Sequence, residues 1–497
     1  MKFQPAFRLL IVLAAFAAYV PSLPAQAPPQ HTRYRLIEVA TFGGPNNAYN
    51  GGTPIATNDG TVVGAATTST PDPYAPDCFD GTCLVQHAWK WHDGVLTDLG
   101  GLPVGESSFA ESLNSRGLVV GYARDGGLDS LTGAVRFVAT TWDHGQIKNL
   151  GTLGGGFSFA LGATNQNFVM GLSDNGVIDT SGFPGFDGVS EVRTFGWRDG
   201  TMFDLGTLGG TGAWPATMNN RGQVVGLSPT SLVPGPLGLQ IDAFLWSGGK
   251  MKDLGTLGGT FSAANAISDR GQVVGYSTVP GDGATHAFSW EDGTMTDLGT
   301  LGGTFTIANW LNEAGEVIGF GTIAGDVCCR AFLSRHGAIS ELGTVVGDNS
   351  SAAFGINNKG QVVGQSWFFD VDTQQVTASH AFLWEDEGPI VDLNTLVVNP
   401  TDLSLTEANF ITDRGWIIAK GFLPSGDARV GILIPEGDAE NLNFGSTSQN
   451  GEPIVKPSPP RPEHLKAFKK QWLPRDYHSQ SLTKYSMQLH GYLRQHR

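Results

Sequence analysis

One nine-residue segment occurs twice with identical sequence in this chain, and it limits the folds that are open to the whole protein. Residues 253–261 read Asp-Leu-Gly-Thr-Leu-Gly-Gly-Thr-Phe, and residues 297–305 repeat them. Weaker copies recur along nearly the whole chain. A single repeat of this size cannot bury its own apolar face, so neighbouring copies must stack on one another. The sequence therefore predicts a repeat array rather than several unrelated domains.

The clearest repeat unit contains four segments that are typical of short antiparallel strands. Residues 263–268 form strand A, and Gly271 supplies the positive φ of the tight turn that follows. Strand B, residues 272–277, is rich in β-branched residues. Strand C follows at 286–290 and strand D at 294–298. Four strands in about 40 to 50 residues is the size of a propeller blade.

The number of copies predicts the number of blades. The strand B pattern, two aliphatic residues followed by a small one, occurs eight times, and strand D occurs seven times. Residues 35–44 match the end of a unit, so we expect an N-terminal strand to complete the last blade and leave no unpaired sheet edge. We predict an all-β propeller over residues 35–435, with eight four-stranded blades; seven blades is the alternative.

The first residues predict export. Residues 1–27 combine a basic start at Lys2 and Arg8, an apolar run over 9–20 and small residues around Ala25, as in a signal peptide. The apolar run is about a dozen residues, too short to span a bilayer core of about 30 Å as a helix. We expect a protein that is secreted or held in the periplasm or outside the cell, with no transmembrane segment after signal removal.

Export places the four cysteines in an oxidising compartment. Cys78 and Cys83 flank a short glycine-containing loop and are predicted to form a disulfide. Cys328 and Cys329 are adjacent, and adjacent side chains in a strand point to opposite faces. We expect two free or buried thiols there, with a vicinal disulfide as the alternative.

Charge is divided unevenly between the body and the C-terminal end. Residues 456–497 contain nine Lys or Arg and two Asp or Glu, a charge of 9 − 2 = +7, whereas the whole chain carries −16. The rest therefore carries −16 − 7 = −23 and repels polyanions, which excludes nucleic acid as a partner. Residues 436–497 lose the repeat and are predicted to form a proline-rich linker and a basic, disordered tail.

Strand C carries a tripeptide that resembles a known family. His-Ala-Phe at 286–288 and at 380–382, together with the Asp-Leu-Gly-Thr-Leu-Gly-Gly segments, resembles the HAF-type extracellular repeat of bacteria. The resemblance covers roughly residues 35–435 and implies an exported bacterial protein of unassigned activity, with no catalytic residue to carry over. Val-Ala-Thr at 138–140 and Arg-Ala-Phe at 330–332 depart from the tripeptide.

Antiparallel order places the B–C and D–A connections at the same end of every blade. The D–A connection is nearly constant and the B–C connection varies in length, which is how binding surfaces are commonly built on a scaffold. Aromatic residues in the long loops and two strand A tryptophans are candidates for stacking on sugar rings or docking a protein. They are Tyr74, Phe186, Trp214, Trp310, Trp367, Phe368 and Phe369. The alternative is that the loops fold onto their neighbours and the two tryptophans fill the core.

Other recurring residues are expected to be structural. Six tryptophans share one strand C position and are expected to pack between blades: Trp91, Trp142, Trp197, Trp246, Trp290 and Trp384. His87, His286 and His380 share another position, but their blades are not adjacent, so we expect structural hydrogen bonds rather than a metal site. The sequence contains no nucleophile elbow, zinc motif or phosphate-binding loop, and we predict no metal and no cofactor.

The sequence reveals no reaction and identifies no catalytic residue. We expect a monomeric binding or interaction module whose ligand is a glycan or a cell-surface protein. A polysaccharide-active enzyme with its site at the channel mouth is the first alternative, and a structural surface protein is the second.

Overall fold

The chain adopts a nearly all-β, propeller-like fold, as predicted. The computed structural model describes residues 31–183, 188–231, 239–370, 372–373, 375–385 and 387–440, together with the backbone of residues 455–456. Within these ranges no helix is long and apolar enough to cross a membrane. The predicted signal segment and most of the predicted tail lie outside the described residues.

The first half of the chain contributes an N-terminal strand and four sets of four strands, called units 1 to 4. The N-terminal strand is β1 (Tyr34–Val39). Unit 1 contains β2 (Gly43–Ala48), β3 (Val62–Pro71), β4 (Leu84–His92) and β5 (Val95–Gly100). Unit 2 contains β6 (Ser108–Leu113), β7 (Val119–Leu128), β8 (Val135–Asp143) and β9 (Gln146–Gly151). Unit 3 contains β10 (Ser158–Ala163), β11 (Val169–Ile178), β12 (Ser190–Arg198) and β13 (Thr201–Asp204). Unit 4 contains β14 (Trp214–Met218), β15 (Val224–Pro229), β16 (Ile241–Ser247) and β17 (Lys250–Asp253).

The second half contributes units 5 to 8 and a few short elements. Unit 5 contains β18 (Ser262–Ile267), β19 (Val273–Thr278), β20 (Thr285–Glu291) and β21 (Thr294–Gly299). Unit 6 contains β22 (Gly302–Leu311), β23 (Val317–Ile323), β24 (Val327–Arg335) and β25 (Ala338–Gly343). Unit 7 contains β26 (Ser350–Ile356), β27 (Val362–Asp370), β28 (Gln375–Trp384) and β29 (Val391–Asp392), followed by a 3-10 turn (Leu393–Leu396). Unit 8 contains β30 (Ser404–Ile411), β31 (Ile417–Phe422) and β32 (Ala428–Pro435); α1 (Glu436–Ala439) and the two-residue β33 (Val455–Lys456) follow.

The strand pairing shows how the two ends of the chain meet. In units 1 to 7 the four strands pair in chain order, as strands A, B, C and D. Unit 8 has three consecutive strands, and β1 supplies its fourth by pairing antiparallel with β32, with Tyr34 opposite Pro435. Each unit contacts the next, and β32 of unit 8 contacts β2 of unit 1. Eight sets in closed succession agree with eight blades, a number that stays a prediction.

A serine near the start of strand A ties a unit to the one before it at four boundaries. Ser108 Oγ accepts from the amide of Ala88 at 2.9 Å and donates to the carbonyl of Gly100 at 2.7 Å. The same two bonds are made by Ser158, Ser262 and Ser351. These hydroxyls satisfy backbone groups that would otherwise be buried without a partner between units.

The strand C tryptophans pack between units, as predicted. Lys148 of unit 2 lies over the ring of Trp197 of unit 3, with 4.5 Å from Nζ to the ring centre. Trp91 of unit 1 meets Trp416 of unit 8 edge-on, with 6.4 Å between ring centres. Cation–π and edge-to-face contacts therefore add to the burial of apolar area at the boundaries.

The two ends of the strands form two different faces of the protein. The turn face carries the A–B and C–D turns, and the connection face carries the B–C and D–A connections. On the turn face, Asn357 accepts from two amides of its own turn and donates from Nδ2 to the carbonyl of Thr412 in the next unit at 2.9 Å. Equivalent bonds to the following unit are made by Asn114, Asn219 and Asn312. The amide of Asp413 donates to Asn58 Oδ1 at 3.0 Å and so joins unit 8 to unit 1.

The expectation of two thiols at Cys328 and Cys329 is wrong, because the two are joined as a vicinal disulfide. That expectation assumed regular alternation of side chains along β24. The pairing of β24 with β23 instead shifts register between Gly321 and Ile323, and a bulge of this kind interrupts the alternation.

Candidate functional site

At the first position of the repeated tripeptide, a His or Arg side chain contacts a carboxylate of strand D in five units. His286 Nδ1 lies 2.8 Å from Asp297 Oδ2, and Arg330, which replaces the histidine in unit 6, lies 3.0 Å from Glu341. The same arrangement pairs His87 with Asp98, Arg193 with Asp204, and Arg429 with Glu38. These residues therefore hold strands together, and among the described residues no group of three His, Cys, Asp or Glu could hold a metal.

Three units depart from this arrangement: unit 2 has Val138 at this position, His380 of unit 7 bonds instead to Asp348 at 2.9 Å, and unit 4 has an acidic residue there. Asp242 occupies the place of the histidine, beside Asp253, and burial together with the charge of Asp253 raises the pKa of Asp242 to about 6. Gln240 Nε2 donates to both oxygens of Asp242 at 3.2 Å. Asp242 therefore has its hydrogen-bond partner within its own unit, so we assign Asp242 and Asp253 to the scaffold.

The B–C loop of unit 1 folds onto unit 2 through a buried arginine. Arg124 Nη1 donates to both carboxylate oxygens of Asp72 at 2.8 Å, and neither side chain is exposed. The guanidinium lies 4.7 Å from the ring centre of Tyr74 and 5.6 Å from that of Phe79. The disulfide between Cys78 and Cys83, whose Cα atoms are 5.0 Å apart, closes the same loop. Tyr74 is therefore part of an anchored loop, as the alternative reading expected.

The B–C loop of unit 3 is also held at its base. Asp179 accepts from the amides of Gly182 and Phe183 at 2.8 Å and from the hydroxyl of Thr211 at 2.6 Å. The Phe183 side chain is buried. The candidate Phe186 follows in this loop and lies outside the described residues.

A large aromatic cluster occupies the centre of the fold. It gathers side chains from units 1 to 7, and Tyr122, Phe159 and Phe320 are among its buried members. Trp214 is 9% exposed and belongs to this cluster, and Trp367 packs against it. Trp214 therefore packs in the core in this structure, which is the alternative given for it above.

Trp310 lines a cavity between units 6, 7, 8 and 1. Phe354, Asn409 and Thr53 are among the other residues around it. The cavity offers ≈ 20 Å³ for the centres of water molecules, which is room for about one water. A sugar ring does not fit against Trp310 in this cavity.

Polar groups replace the central aromatic residues where unit 8 meets units 1 and 2. Glu111 Oε2 accepts from Asn50 Nδ2 at 2.6 Å, and burial raises the pKa of Glu111 to about 7. Lys420 Nζ lies 4.6 Å from the ring centre of Tyr49 and 4.0 Å from Glu407. Glu111 and Tyr49 are buried and Lys420 and Glu407 are half-buried, and together they lie where unit 8 meets units 1 and 2.

The Trp367 loop is a continuation of its two strands. Pairing of β27 with β28 extends through Trp367, Phe368 and Phe369 to Asp370 opposite Gln375. Trp367 faces the central cluster, whereas Phe368 is 38% exposed. Of the seven aromatic candidates, Phe368 is therefore the one with a largely exposed side chain in the described part of the chain.

Exposed aliphatic residues share the connection face. Thirteen large apolar side chains are exposed in the described ranges, and twelve lie in B–C or D–A connections or the strand ends beside them. They are Val104, Leu128, Leu131, Val177, Ile178, Val189, Val327, Val346, Phe368, Val376, Val398 and Phe422. Phe203 of strand β13 is the thirteenth. Because nearly all of the exposed large apolar groups of the described residues lie at this end of the strands, we take this end as the candidate interaction surface.

The loops of the connection face are also rich in acidic residues, and the strand ends beside them carry Arg124, Arg136 and Arg429. The sixteen B–C and D–A connections contain no Lys or Arg. They contain thirteen acidic residues, namely Asp72, Asp77, Asp80, Glu106, Asp129, Asp179, Asp187, Asp282, Asp326, Asp348, Asp372, Asp402 and Asp427. Of these, Asp72 and Asp129 are buried, Asp72 is paired with Arg124, and Asp187 lies outside the described residues. The A–B turns, by contrast, include Arg116, Arg221, Arg270, Lys359 and Arg414. An acidic, apolar surface is complementary to a ligand that is both basic and apolar.

The sequence predicted that this face is the binding surface, but the predicted contacts were aromatic and its acidic and aliphatic composition was missed. The signal was present, because the strand boundaries were predicted and the charges of the connections could have been counted between them. The exposed aliphatic residues could not be found this way, because exposure depends on how each loop packs.

The chain resembles solved structures only weakly. No family model and no curated protein sequence matches the chain. TolB from Acinetobacter baumannii is 12% identical, with a TM-score of 0.31 and 63% of each chain covered. A sialidase from Trypanosoma rangeli is 11% identical, with a TM-score of 0.29 over 82% of this chain and 60% of that one. A gluconolactonase from Xanthomonas campestris is 13% identical, with a TM-score of 0.26 over 55% of this chain and 91% of that one.

These similarities concern the propeller-like architecture alone. The chain spans less than two thirds of TolB and of the sialidase. Identity and TM-score are both too low to carry a ligand or a reaction from any of the three proteins to this one. The candidate site therefore rests on the residues of this chain.

Proposed function

We propose that this protein is an exported interaction module of the HAF repeat type, and that its connection face binds a basic, apolar polypeptide segment of a partner protein. The observation that carries the proposal is the composition of that face: its loops contain thirteen acidic residues, two of them buried, and no Lys or Arg, and twelve exposed large apolar side chains lie in these loops or the adjoining strand ends. Charge attracts and orients such a partner, and apolar contact supplies most of the affinity.

A polypeptide ligand suits this face better than a glycan. Sugar rings stack on flat aromatic side chains, and ten of the twelve exposed apolar residues are Val, Leu or Ile. Tyr74 and Trp214 are turned toward protein groups. A glycan ligand remains the competing hypothesis.

The alternative function is a polysaccharide-active enzyme, and the polar groups near the centre are the residues relevant to it. Glu111 has a pKa raised to about 7 by burial, as a general acid would need. The adjoining cavity, which Thr53 lines, holds about one water, and no substrate groove follows from it. The geometry therefore favours binding over catalysis.

Peptide display on the immobilised mature protein, residues 28–497, tests the proposal. We expect selected peptides to combine Lys or Arg with aliphatic or aromatic residues and to bind more weakly at 0.5 M salt than at 0.05 M salt, because salt screens exposed charges. A glycan array with product analysis runs in parallel on the same sample. Selection without a basic consensus, or binding of a glycan in its place, would overturn the polypeptide assignment, and turnover would favour the enzyme.

A further inference from the structure

The C-terminal chain approaches the proposed binding face along the edge of unit 1. The backbone of β33 pairs parallel with β5, with Val455 opposite Leu96 and Lys456 opposite Thr97. Strand β5 runs from the turn face toward the connection face, where it ends at Gly100. A parallel partner runs the same way, so the chain leaves Lys456 heading toward the connection face.

The sequence beyond this point is complementary to that face. Residues 456–497 carry a charge of +7, against a body of −23. They also contain large apolar and aromatic residues, including Phe468, Trp472, Tyr485 and Tyr492. The tail thus has the basic and apolar composition that the connection face would select in a partner.

We infer that the basic tail, residues 456–497, is an internal ligand of the connection face and competes there with external polypeptides. The inference rests on the same face as the proposed function. Val104 and Glu106 lie in the connection that follows β5, and they are the first part of the face that the tail meets. The 41 residues after Lys456 span up to about 140 Å when extended, so reach does not limit the contact.

Tethering determines how strongly the tail competes. A short flexible linker gives a tethered segment an effective concentration of the order of 1 mM. If the free segment had a dissociation constant of about 0.1 mM, the tail would weaken an external ligand about tenfold. A partner would then have to displace the tail, and its apparent affinity would depend on salt.

Site-specific photo-crosslinking in the full chain tests the contact itself. A benzoyl-phenylalanine replaces Val104 or Phe422 on the connection face, and Arg116 is the matched control on the turn face of unit 2. We expect crosslinked peptides from residues 457–497 with the first two positions and none with Arg116. Equal crosslinking at all three positions, or no tail peptide from Val104 and Phe422, would overturn the inference. Mixing heavy and light isotope-labelled protein identifies crosslinks between copies, and a majority of these would overturn the internal assignment.

A charge-neutralised tail tests the competition. The variant carries Gln at every basic position of the tail, namely Lys456, Arg461, Lys466, Lys469, Lys470, Arg475, Lys484, Arg494 and Arg497. We expect it to bind a display-selected basic peptide about tenfold more tightly than the unchanged protein at 0.05 M salt. Equal affinity of the two proteins would overturn tail competition and leave the proposed function standing. No peptide binding to either protein, together with tail crosslinks at Val104, would overturn the proposed function and leave the internal contact standing.

Discussion

The turn face and the connection face terminate the same strands, yet they are built by opposite rules. On the turn face a repeated asparagine bonds each turn to the next, as Asn312 Nδ2 does to the carbonyl of Asn357 at 3.0 Å. The connection face varies from unit to unit and carries nearly all of the exposed large apolar residues. Val346, for example, is 98% exposed.

Residues of the turn face stabilise the fold, whereas residues of the connection face can change with little effect on stability. Buried hydrogen bonds between units are costly to remove, because the remaining group loses its partner. Exposed side chains at the other end contribute little to stability, so their composition reflects solubility and binding. An acidic, apolar face is therefore better explained by a ligand than by folding.

The largest effect is expected where the connection face is anchored to the scaffold. Arg124→Ala should lower the free energy of unfolding by about 3–5 kcal/mol, because it leaves the Asp72 carboxylate buried without its partner. Chemical denaturation measures the change. Arg136→Ala is the control: Arg136 is 37% exposed, and its partner Asp125, 12% exposed, also accepts from the amide of Gly127, so we expect a clearly smaller loss. Equal losses would mean that the loop is not anchored as described.

A smaller loss is expected on the turn face. Asn357→Ala should cost about 2–3 kcal/mol, since Asn357 is 3% exposed and serves both its own turn and Thr412. Val346→Ser on the connection face should change stability by less than about 0.5 kcal/mol. Thermal and denaturant unfolding of the two variants compares the faces directly, and a reversed order would contradict the division of roles.

A buried carboxyl group in the interior makes the free energy of unfolding depend on pH. Burial raises the pKa of Glu111 from 4.5 to about 7, so the folded state binds more protons than the unfolded state between these values. Stability contributed by protonated Glu111 is present below about pH 4.5 and is lost as pH rises through 7, by about 3 kcal/mol in all. Glu111→Gln should remove this slope while keeping an acceptor for Asn50. Denaturation of both proteins at pH 5 and pH 7.5 measures it, and an unchanged slope would assign the pH dependence to other groups.

The smallest effect on stability should accompany the largest effect on binding. The triple substitution Val104→Ser, Val346→Ser and Phe422→Ser should leave the unfolding free energy within about 1 kcal/mol of the unchanged protein. We expect it to weaken a display-selected basic peptide by at least about tenfold, because apolar anchors carry most interface affinity. Isothermal titration measures the affinity. Unchanged affinity would show that the peptide binds elsewhere.

The repeat predicted most of the fold because its strands are local. Turn glycines and runs of β-branched residues located the strands in the sequence. Arg35 to Val39 was correctly matched to the end of a unit. Hydrogen bonds of His87 and His286 were predicted, but their partners on strand D were missed although the spacing is regular. Asp297 follows His286 by eleven residues, and Glu341 follows Arg330 by the same interval. An arginine replacing the histidine therefore keeps the pair rather than breaking the repeat.

The candidate site was harder to predict because it depends on packing across units. Tyr74 stacks on Arg124, which is in a different unit, and no local pattern indicates that contact. Trp214 belongs to a cluster with side chains from seven units, so its burial could not be inferred from the sequence of its own strand. The bulge at Cys328 likewise arises from register with β23.

The most direct measurement compares the two faces in one binding experiment. The protein with the neutralised tail is titrated with a display-selected basic peptide, alongside the connection-face triple variant and a turn-face variant carrying Arg116→Ser, Arg221→Ser and Lys359→Ser, each in the same background. The account predicts that the connection-face variant loses at least about tenfold in affinity and the turn-face variant less than about twofold. Equal losses, or a loss confined to the turn-face variant, would contradict it.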